Sequence, residues 1–190
     1  MPRKGKWLVS SVNTTASVDR VQYDIVVIGA GPAGLGAARA AAGAGLRTLL
    51  LERLGGPGEL AHPCGGAIAP LPGFVSGQRR GDGLYFRELS LLIPSALVLG
   101  YPTLQRYISP GGHKFRAAFT SRDDFPIATI DKTRLLRLMA EEARTAGADL
   151  RFGTLVTSLV VEGGKIVGVR VRDSEVRAKV VISAEGVSRR

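Results

Sequence analysis

The stretch "YDIVVIGAGPAGLGAARAAAGAGLRTLLLER", from Tyr23 to Arg53, is the most informative part of the sequence about the fold. In it an apolar run leads into a glycine cluster, an alanine-rich segment follows, and a second apolar run ends on an acidic residue. Short continuous apolar runs are typical of strands buried on both faces of a parallel sheet, and alanine favours helix. The stretch therefore predicts a right-handed βαβ unit, with strands over 23–28 and 47–51.

Three glycines of this stretch, Gly29, Gly31 and Gly34, fit the pattern G-x-G-x-x-G. Between a strand and a helix, such glycines allow a tight turn, a close approach of the backbone to a pyrophosphate, and close packing of helix on strand. Glu52 follows Gly34 by 18 residues, where it can accept hydrogen bonds from the ribose of adenosine. The pattern predicts a site for the ADP half of FAD or NAD, and a plain turn with a surface Glu52 is the structural alternative.

The length and the composition of the chain exclude several classes of protein. The 190 residues can bury one sizeable core with part of a second domain. No apolar run approaches the roughly 20 residues that span a bilayer, and the first residues lack an apolar signal segment, so we expect a cytoplasmic protein. The single cysteine, Cys64, excludes an internal disulfide and a zinc site built on several thiolates, and we predict no metal site.

The formal net charge of +10 points to an anionic partner. The basic residues of the protein are spread along the chain and match no nucleic-acid motif, so we expect no nucleic-acid partner. Attraction to an anionic membrane surface remains open, which leaves peripheral contact with a membrane as an expectation.

The rest of the pattern predicts an α/β fold, namely a Rossmann-like FAD/NAD(P)-binding parallel sheet, doubly wound, with a β-rich insertion. Leucines at helical spacing predict a helix over 131–146 that ends at Gly147. Two glycines, Gly163 and Gly164, predict a hairpin, and a last strand then runs into glycine. The predicted parts are a flexible tail at 1–20, an FAD-binding domain at 21–70 and 130–190, and the insertion at 71–129.

Three further phrases resemble the geranylgeranyl reductase family of flavoproteins, within the wider group of FAD-dependent monooxygenase-like enzymes. "PCGGAI" at 63–68 is similar to a Cys-Gly motif that these reductases carry shortly after the ribose-binding acid. "IDKTRLLRLMAEEARTAGADL" at 130–150 is similar to a family helix that usually opens with arginine. This chain has Lys132 at that position, which has the same positive charge but lacks the planar guanidinium group that makes bidentate contacts. "VVISAEGVSRR" at 180–190 resembles the family's Ala-Asp/Glu-Gly segment near the cofactor phosphates.

The resemblance implies FAD as the hydride carrier and a polyprenyl substrate, on an archaeal-type ether lipid or a chlorophyll-type precursor, with NADPH or ferredoxin as electron donor. It implies that Cys64 is the catalytic residue beside the flavin, whereas a buried packing cysteine is the structural alternative. The motif and the resemblance together indicate these cofactor-binding residues: Gly29, Gly31, Pro32, Ala33, Gly34, Glu52, Arg53, Cys64, Gly65, Gly66, Lys132, Ala184, Glu185 and Gly186.

Two other functions remain open. Glu185 resembles the acid of electron-transfer-flavoprotein dehydrogenases, which would pass electrons to quinone or ferredoxin. The chain also stops before the segment in which such flavoproteins build their catalytic half. We therefore expect a truncated N-terminal portion, a chain completed by a partner chain, or a non-catalytic FAD-binding subunit or remnant.

Overall fold

The structure is a computed structural model, and it describes residues 22–60, 64, 66–71, 73–118 and 127–186. The predicted tail at 1–20 lies outside these residues. The two α-helices are α1 (Pro32–Gly43) and α2 (Lys132–Thr145), and 3₁₀ turns occupy Arg87–Leu89 and Ser95–Leu97. The strands, in chain order, are β1 (Gln22–Ile28), β2 (Thr48–Leu51), β3 (Ala67–Ile68), β4 (Gly77–Arg80), β5 (Gly83–Phe86), β6 (Leu91–Pro94), β7 (Val98–Gly100), β8 (Leu104–Ile108), β9 (Lys114–Ala118), β10 (Ala128–Ile130), β11 (Asp149–Arg151), β12 (Val156–Glu162), β13 (Lys165–Val171) and β14 (Ser174–Ser183).

A six-stranded sheet forms the centre of the fold, in the order β11-β2-β1-β14-β13-β12. Strands β11, β2, β1 and β14 run parallel, and β12 and β13 add an antiparallel hairpin beside β14. Strand β14 is long because its first residues pair with β13 and its later residues pair with β1. The α/β fold with a parallel sheet is therefore present, extended by an antiparallel part.

The side chains of β1 alternate between two hydrophobic cores. Val27 packs with Leu50 under both helices, whereas Val26 packs with Leu49 and Val169 on the opposite face. Within the described residues, both helices lie on the first of these faces. The expected doubly wound arrangement, with helices on both faces, is wrong for this part of the chain, because after β11 the chain continues as the hairpin β12–β13 instead of a crossover helix.

Each helix begins where the sequence predicts. Helix α1 follows the extended residue Gly31 and has Pro32 in its first turn, where the missing N–H of proline leaves no hydrogen bond unmade. The side chain of Asp131 caps α2 by accepting a hydrogen bond from the backbone N–H of Arg134, at 2.9 Å. After α2, Gly147 has a φ of +101°, the left-handed conformation that commonly ends a helix.

The insertion contributes to the same core as the central sheet. Strands β4, β5 and β6 form one antiparallel sheet, and Leu84, Phe86 and Ile93 from it are buried against the core under the helices. A second small sheet has the order β3-β10-β7, and β8 and β9 form a two-stranded hairpin. Neither described helix is long and apolar enough to cross a membrane.

Candidate cofactor site

The carboxyl ends of β1 and β14 lie side by side at a change of direction in the strand order. From β1 the chain passes through α1 to β2 on one side, while β14 lies on the other side. Open α/β sheets bind ligands in the crevice that forms at such a point. A cleft of about 370 Å³ lies there, lined by the ends of these strands, the start of α2 and the loop after β2.

The glycine loop after β1 is shaped by close backbone approaches. Gly29 has a φ of +100°, and a Cβ at this position would lie 2.6 Å from the carbonyl oxygen of Ala184. A Cβ at Gly34 would collide with the carbonyl oxygen of Gly29. Gly34 is therefore needed for packing α1 onto the loop, the role that the motif predicts for it, and it does not line the cleft.

Gly31 has a different environment. Its φ of −71° is open to any residue, and a Cβ there would meet no atom within 4 Å. The residue lines the cleft at the start of α1, where no side chain caps the helix and its first turn contains no acid. Free backbone N–H groups and the positive end of a helix dipole suit a phosphate, so this cradle fits the pyrophosphate of FAD.

Glu52 ties the glycine loop to the loop after β2. Its Oε2 accepts a hydrogen bond from the backbone N–H of Ala30 at 2.7 Å, and its Oε1 accepts one from Leu54 at 2.8 Å. An ionised carboxylate has about four acceptor positions, so two remain for ribose hydroxyls. The side chain is half-buried at the cleft, where it fits the predicted role.

The loop after β2 is held against the first turns of α2. The Oγ1 of Thr133 donates to the carbonyl oxygen of Gly58 at 3.1 Å, and the Nε of Arg137 donates to that of Pro57 at 3.4 Å. Gly58 has a φ of +86°, and a Cβ there would lie 2.7 Å from the carbonyl oxygen of Thr133. These contacts fix the wall of the cleft that runs from Leu54 to Leu60.

Cys64 lies in the same cleft as an exposed free thiol. The backbone N–H of Gly66, and then the ammonium of Lys132, lower the pKa of the Cys64 thiol from its usual value. Because the thiol is exposed, the alternative of a buried packing cysteine does not describe it. A thiolate stabilised by a cation is the reactive form of cysteine.

The structure brings most of the predicted site residues together. Those that line the cleft are Gly29, Gly31, Pro32, Glu52, Arg53, Cys64, Lys132, Ala184, Glu185 and Gly186. The Oε2 of Glu185 accepts a hydrogen bond from the Oγ of Ser183 at 3.2 Å.

Of the predicted residues that the structure describes, three do not line the cleft. Ala33 lies exposed in the first turn of α1, and Gly34 is buried under the loop. Gly66 packs on β10, where its carbonyl oxygen accepts from the N–H of Ile130 at 2.9 Å and a Cβ would lie 2.5 Å from the Ile130 carbonyl oxygen. Gly65 lies outside the described residues.

Among the cleft residues that the sequence prediction missed, Thr154, Leu155 and Val156 come from a segment that it did not connect with the site at all. They follow β11, which pairs in parallel with β2, and the N–H of Thr154 donates to the carbonyl oxygen of Glu52 at 2.7 Å. The signal that could have found them is the strand end itself, because parallel neighbours place their carboxyl ends at the same edge of a sheet. Within the described residues, no group of three or more His, Cys, Asp or Glu side chains is arranged to hold a metal ion.

The fold and the cleft together define a dinucleotide-binding α/β domain of the kind that binds FAD. Residues 24–187 match the family of FAD dependent oxidoreductases, and the chain belongs to this family.

Among its curated relatives is the digeranylgeranylglycerophospholipid reductase of Methanosarcina acetivorans, which is 31% identical over 172 residues, covering 87% of this chain and 38% of the relative. The "Probable electron transfer flavoprotein-quinone oxidoreductase YdiS" of Escherichia coli is also 31% identical, over 88% of this chain and 37% of the relative. The chain thus spans less than two fifths of the length of these relatives.

A solved structure of similar fold is the geranylgeranyl bacteriochlorophyll reductase-like protein of Thermoplasma acidophilum. It superimposes with a TM-score of 0.65 at 25% sequence identity, and the match covers 87% of this chain and 39% of that protein. The Rossmann-like FAD/NAD(P)-binding fold predicted from the sequence is confirmed.

Proposed function

We propose that this chain is the FAD-binding portion of a reductase that saturates prenyl double bonds, in an isoprenoid lipid or a chlorophyll-type precursor. The observation that carries the proposal is the cleft at the ends of β1 and β14, where the glycine loop and Glu52 face the same space as Cys64 and Lys132. The names of the archaeal relatives favour the lipid. When bound, FAD supplies the hydride chemistry that no side chain can provide.

Different residues of the chain have different roles in the site. The glycine loop and the start of α1 hold the pyrophosphate, and Glu52 holds the ribose. Saturating a carbon–carbon double bond requires one hydride and one proton, and we assign the proton to the Sγ of Cys64. A general acid works best when its pKa lies near the working pH. The N–H of Gly66 and the ammonium of Lys132 lower the pKa of this thiol from its usual value.

The proposal leaves parts of the reaction to other molecules. Because the chain spans only 38% of its archaeal relative, we propose that the substrate enclosure comes from a further segment of polypeptide, in the same chain or in a partner chain. NADPH or ferredoxin would return electrons to the flavin. The charge of +10 and a lipid substrate also favour peripheral contact with a membrane.

Two measurements on the purified chain test this function. The chain is incubated with FAD and desalted, and the retained flavin is counted by its absorbance. For the second measurement, the reduced, loaded chain is completed with the segment that supplies the substrate enclosure and mixed with a geranylgeranyl lipid, and mass spectrometry counts the hydrogens added. We expect flavin retention by the chain and two hydrogens per reduced double bond in the completed protein. Loss of all flavin on desalting would contradict the cofactor assignment, and a completed protein that retains flavin without reducing the lipid would identify a non-catalytic FAD-binding subunit.

A second candidate function is electron transfer to or from quinone or ferredoxin, and the Escherichia coli relative favours it. Glu185, whose type and position resemble those in electron-transfer-flavoprotein dehydrogenases, is exposed at the cleft. The loaded protein separates the two functions, because an electron-transfer protein would pass electrons from its reduced flavin to a soluble quinone and leave the prenyl lipid unchanged.

A further inference from the structure

Strands β8 and β9 form a hairpin whose described side chains are all exposed. Its turn is well built: the N–H of Ser109 donates to the carbonyl oxygen of His113 at 2.9 Å, and the N–H of His113 donates to the Oγ of Ser109 at 3.1 Å. None of the hairpin side chains that the structure describes belongs to either hydrophobic core. A two-stranded hairpin is only marginally stable in water by itself, so a partner surface would stabilise it.

The hairpin exposes large apolar side chains on both of its faces. Tyr107 and Phe115 are cross-strand partners with ring centroids 5.8 Å apart, and they are 49% and 63% exposed. Leu104 and Ile108 project from the opposite face, because side chains alternate along a strand, and they are 49% and 60% exposed. A protein docked flat on a hairpin would cover one face, whereas insertion of its tip into a soft surface covers both.

The same hairpin concentrates positive charge. Arg106 lies directly opposite Arg116 in the strand register, and Lys114 lies opposite Ile108. Like charges in directly opposed positions destabilise a strand pair. The sequence from 101 to 118 contains no Asp or Glu, and these three cations form no ion pair with a described residue. An anionic partner would remove this repulsion.

We propose that the tip of the hairpin docks on an anionic lipid surface. Tyr107 and Phe115 enter the interface between headgroups and acyl chains, where amphipathic aromatic side chains are favoured. Arg106, Lys114 and Arg116 bind the lipid phosphates. The inference goes beyond the reductase chemistry; it rests on the proposed membrane contact and on no step of flavin binding.

Vesicle sedimentation tests the cationic part of this surface. Vesicles of phosphatidylglycerol and phosphatidylcholine are compared with vesicles of phosphatidylcholine alone. The double variant Arg106→Gln/Arg116→Gln should partition roughly 30-fold more weakly onto the anionic vesicles, from about fivefold for each basic residue near such a surface. The matched control Arg134→Gln/Lys165→Gln removes the same charge from exposed positions elsewhere and should stay close to the unmodified chain.

The aromatic part is tested at high salt, which screens the phosphate contacts. There the variant Tyr107→Ser/Phe115→Ser should lose the residual binding that the unmodified chain retains. The control Leu159→Ser/Val161→Ser removes two exposed apolar side chains from β12 and should retain the residual vesicle binding. Thermal melting of each variant verifies that the core is intact.

Several outcomes would overturn the inference. If hairpin and control variants lose binding equally, net charge alone attracts the chain to vesicles. If binding is unchanged in the hairpin variants and sedimentation velocity shows that they dissociate a dimer, the hairpin contacts a second copy of the chain. If the unmodified chain binds no vesicles, the membrane contact is wrong as a whole, and flavin retention in the same samples reports separately on the proposed function.

Discussion

The Oε2 of Glu52 accepts a hydrogen bond from the backbone N–H of Ala30, and this contact of 2.7 Å joins the end of β2 to the glycine loop after β1. The other carboxylate oxygen accepts from Leu54 at 2.8 Å. The acid that the glycine motif predicts as a ribose ligand is therefore also a structural link between two walls of the cleft. It acts on the shape of the site before any cofactor binds.

Replacement of Glu52 should affect stability as well as binding. In Glu52→Ala, the N–H groups of Ala30 and Leu54 lose an ionised acceptor, and we expect the free energy of unfolding to fall by about 1.5–3 kcal/mol and FAD affinity to fall with it. Glu59→Ala is a matched control, because Glu59 lines the same cleft but, among the described residues, its carboxylate accepts only from the nearby N–H of Gly55. Urea unfolding and FAD titration measure the two effects; unchanged stability in Glu52→Ala would show that the link is unimportant.

Two glycines of α1, Gly34 and Gly36, differ in the space around them, so their replacements by alanine can be compared directly. A Cβ at Gly34 would collide with the carbonyl oxygen of Gly29, so Gly34→Ala should cost about 1–3 kcal/mol and displace the glycine loop. A Cβ at Gly36 meets nothing within 4 Å, so Gly36→Ala should raise stability by about 0.5–1 kcal/mol, as alanine favours helix. Thermal melting compares them, and equal shifts in the two variants would contradict the close packing at Gly34.

Asp24 stabilises the opposite end of the parallel strands. The hydrogen bond with the Lys179 ammonium, followed by the backbone N–H of Arg47, lowers the pKa of Asp24 from 3.8 to about 2. Since the folded pKa lies below the unfolded one, the contribution to stability is complete above pH 3.8 and disappears as the pH falls through about 2. Asp24→Asn should thus be less stable than the unmodified chain at neutral pH and equally stable at the acid end.

Urea unfolding across this pH range checks the Asp24 prediction. Asp173→Asn is the control, because Asp173 is exposed and makes no ion pair with a described residue. A stability difference between Asp24→Asn and the unmodified chain that stays constant down to pH 2 would contradict the assigned cause.

The thiol of Cys64 should titrate below its ordinary pKa of 9.0. The rate of alkylation by iodoacetamide against pH reports this value, because only the thiolate reacts. Lys132→Met should move the midpoint upward without restoring 9.0, since the N–H of Gly66 has the larger effect and remains. Lys165→Met should leave it unchanged, and bound FAD should protect the thiol. A midpoint at or above 9.0 in the unmodified chain would show that neither group acts on Cys64.

Much of this site could be predicted from the sequence because its parts obey local rules. The turn at Gly29, the open position at Gly31 and the start of α1 follow from glycine and proline geometry within a few residues. Glu52 could be placed because the end of a parallel strand next to β1 must face the same crevice.

Other features depend on contacts between distant segments. The segment 154–156 reaches the cleft only because β11 pairs with β2, a register that no local pattern reports. Gly66 belongs to a motif that suggests the flavin, yet the backbone of Ile130 packs against it. The hairpin β12–β13 was visible in the sequence, but its effect on the arrangement of the helices was not.

Calorimetry of FAD binding to the Gly31→Val variant tests whether the cleft at Gly31 binds the pyrophosphate of FAD. The Cβ of a valine there would meet no protein atom within 4 Å, and the residue needs no unusual φ. The melting temperature should therefore be nearly unchanged. We expect FAD binding to be lost while the fold is retained. A Gly31→Val variant that binds FAD with the affinity of the unmodified chain would contradict this assignment.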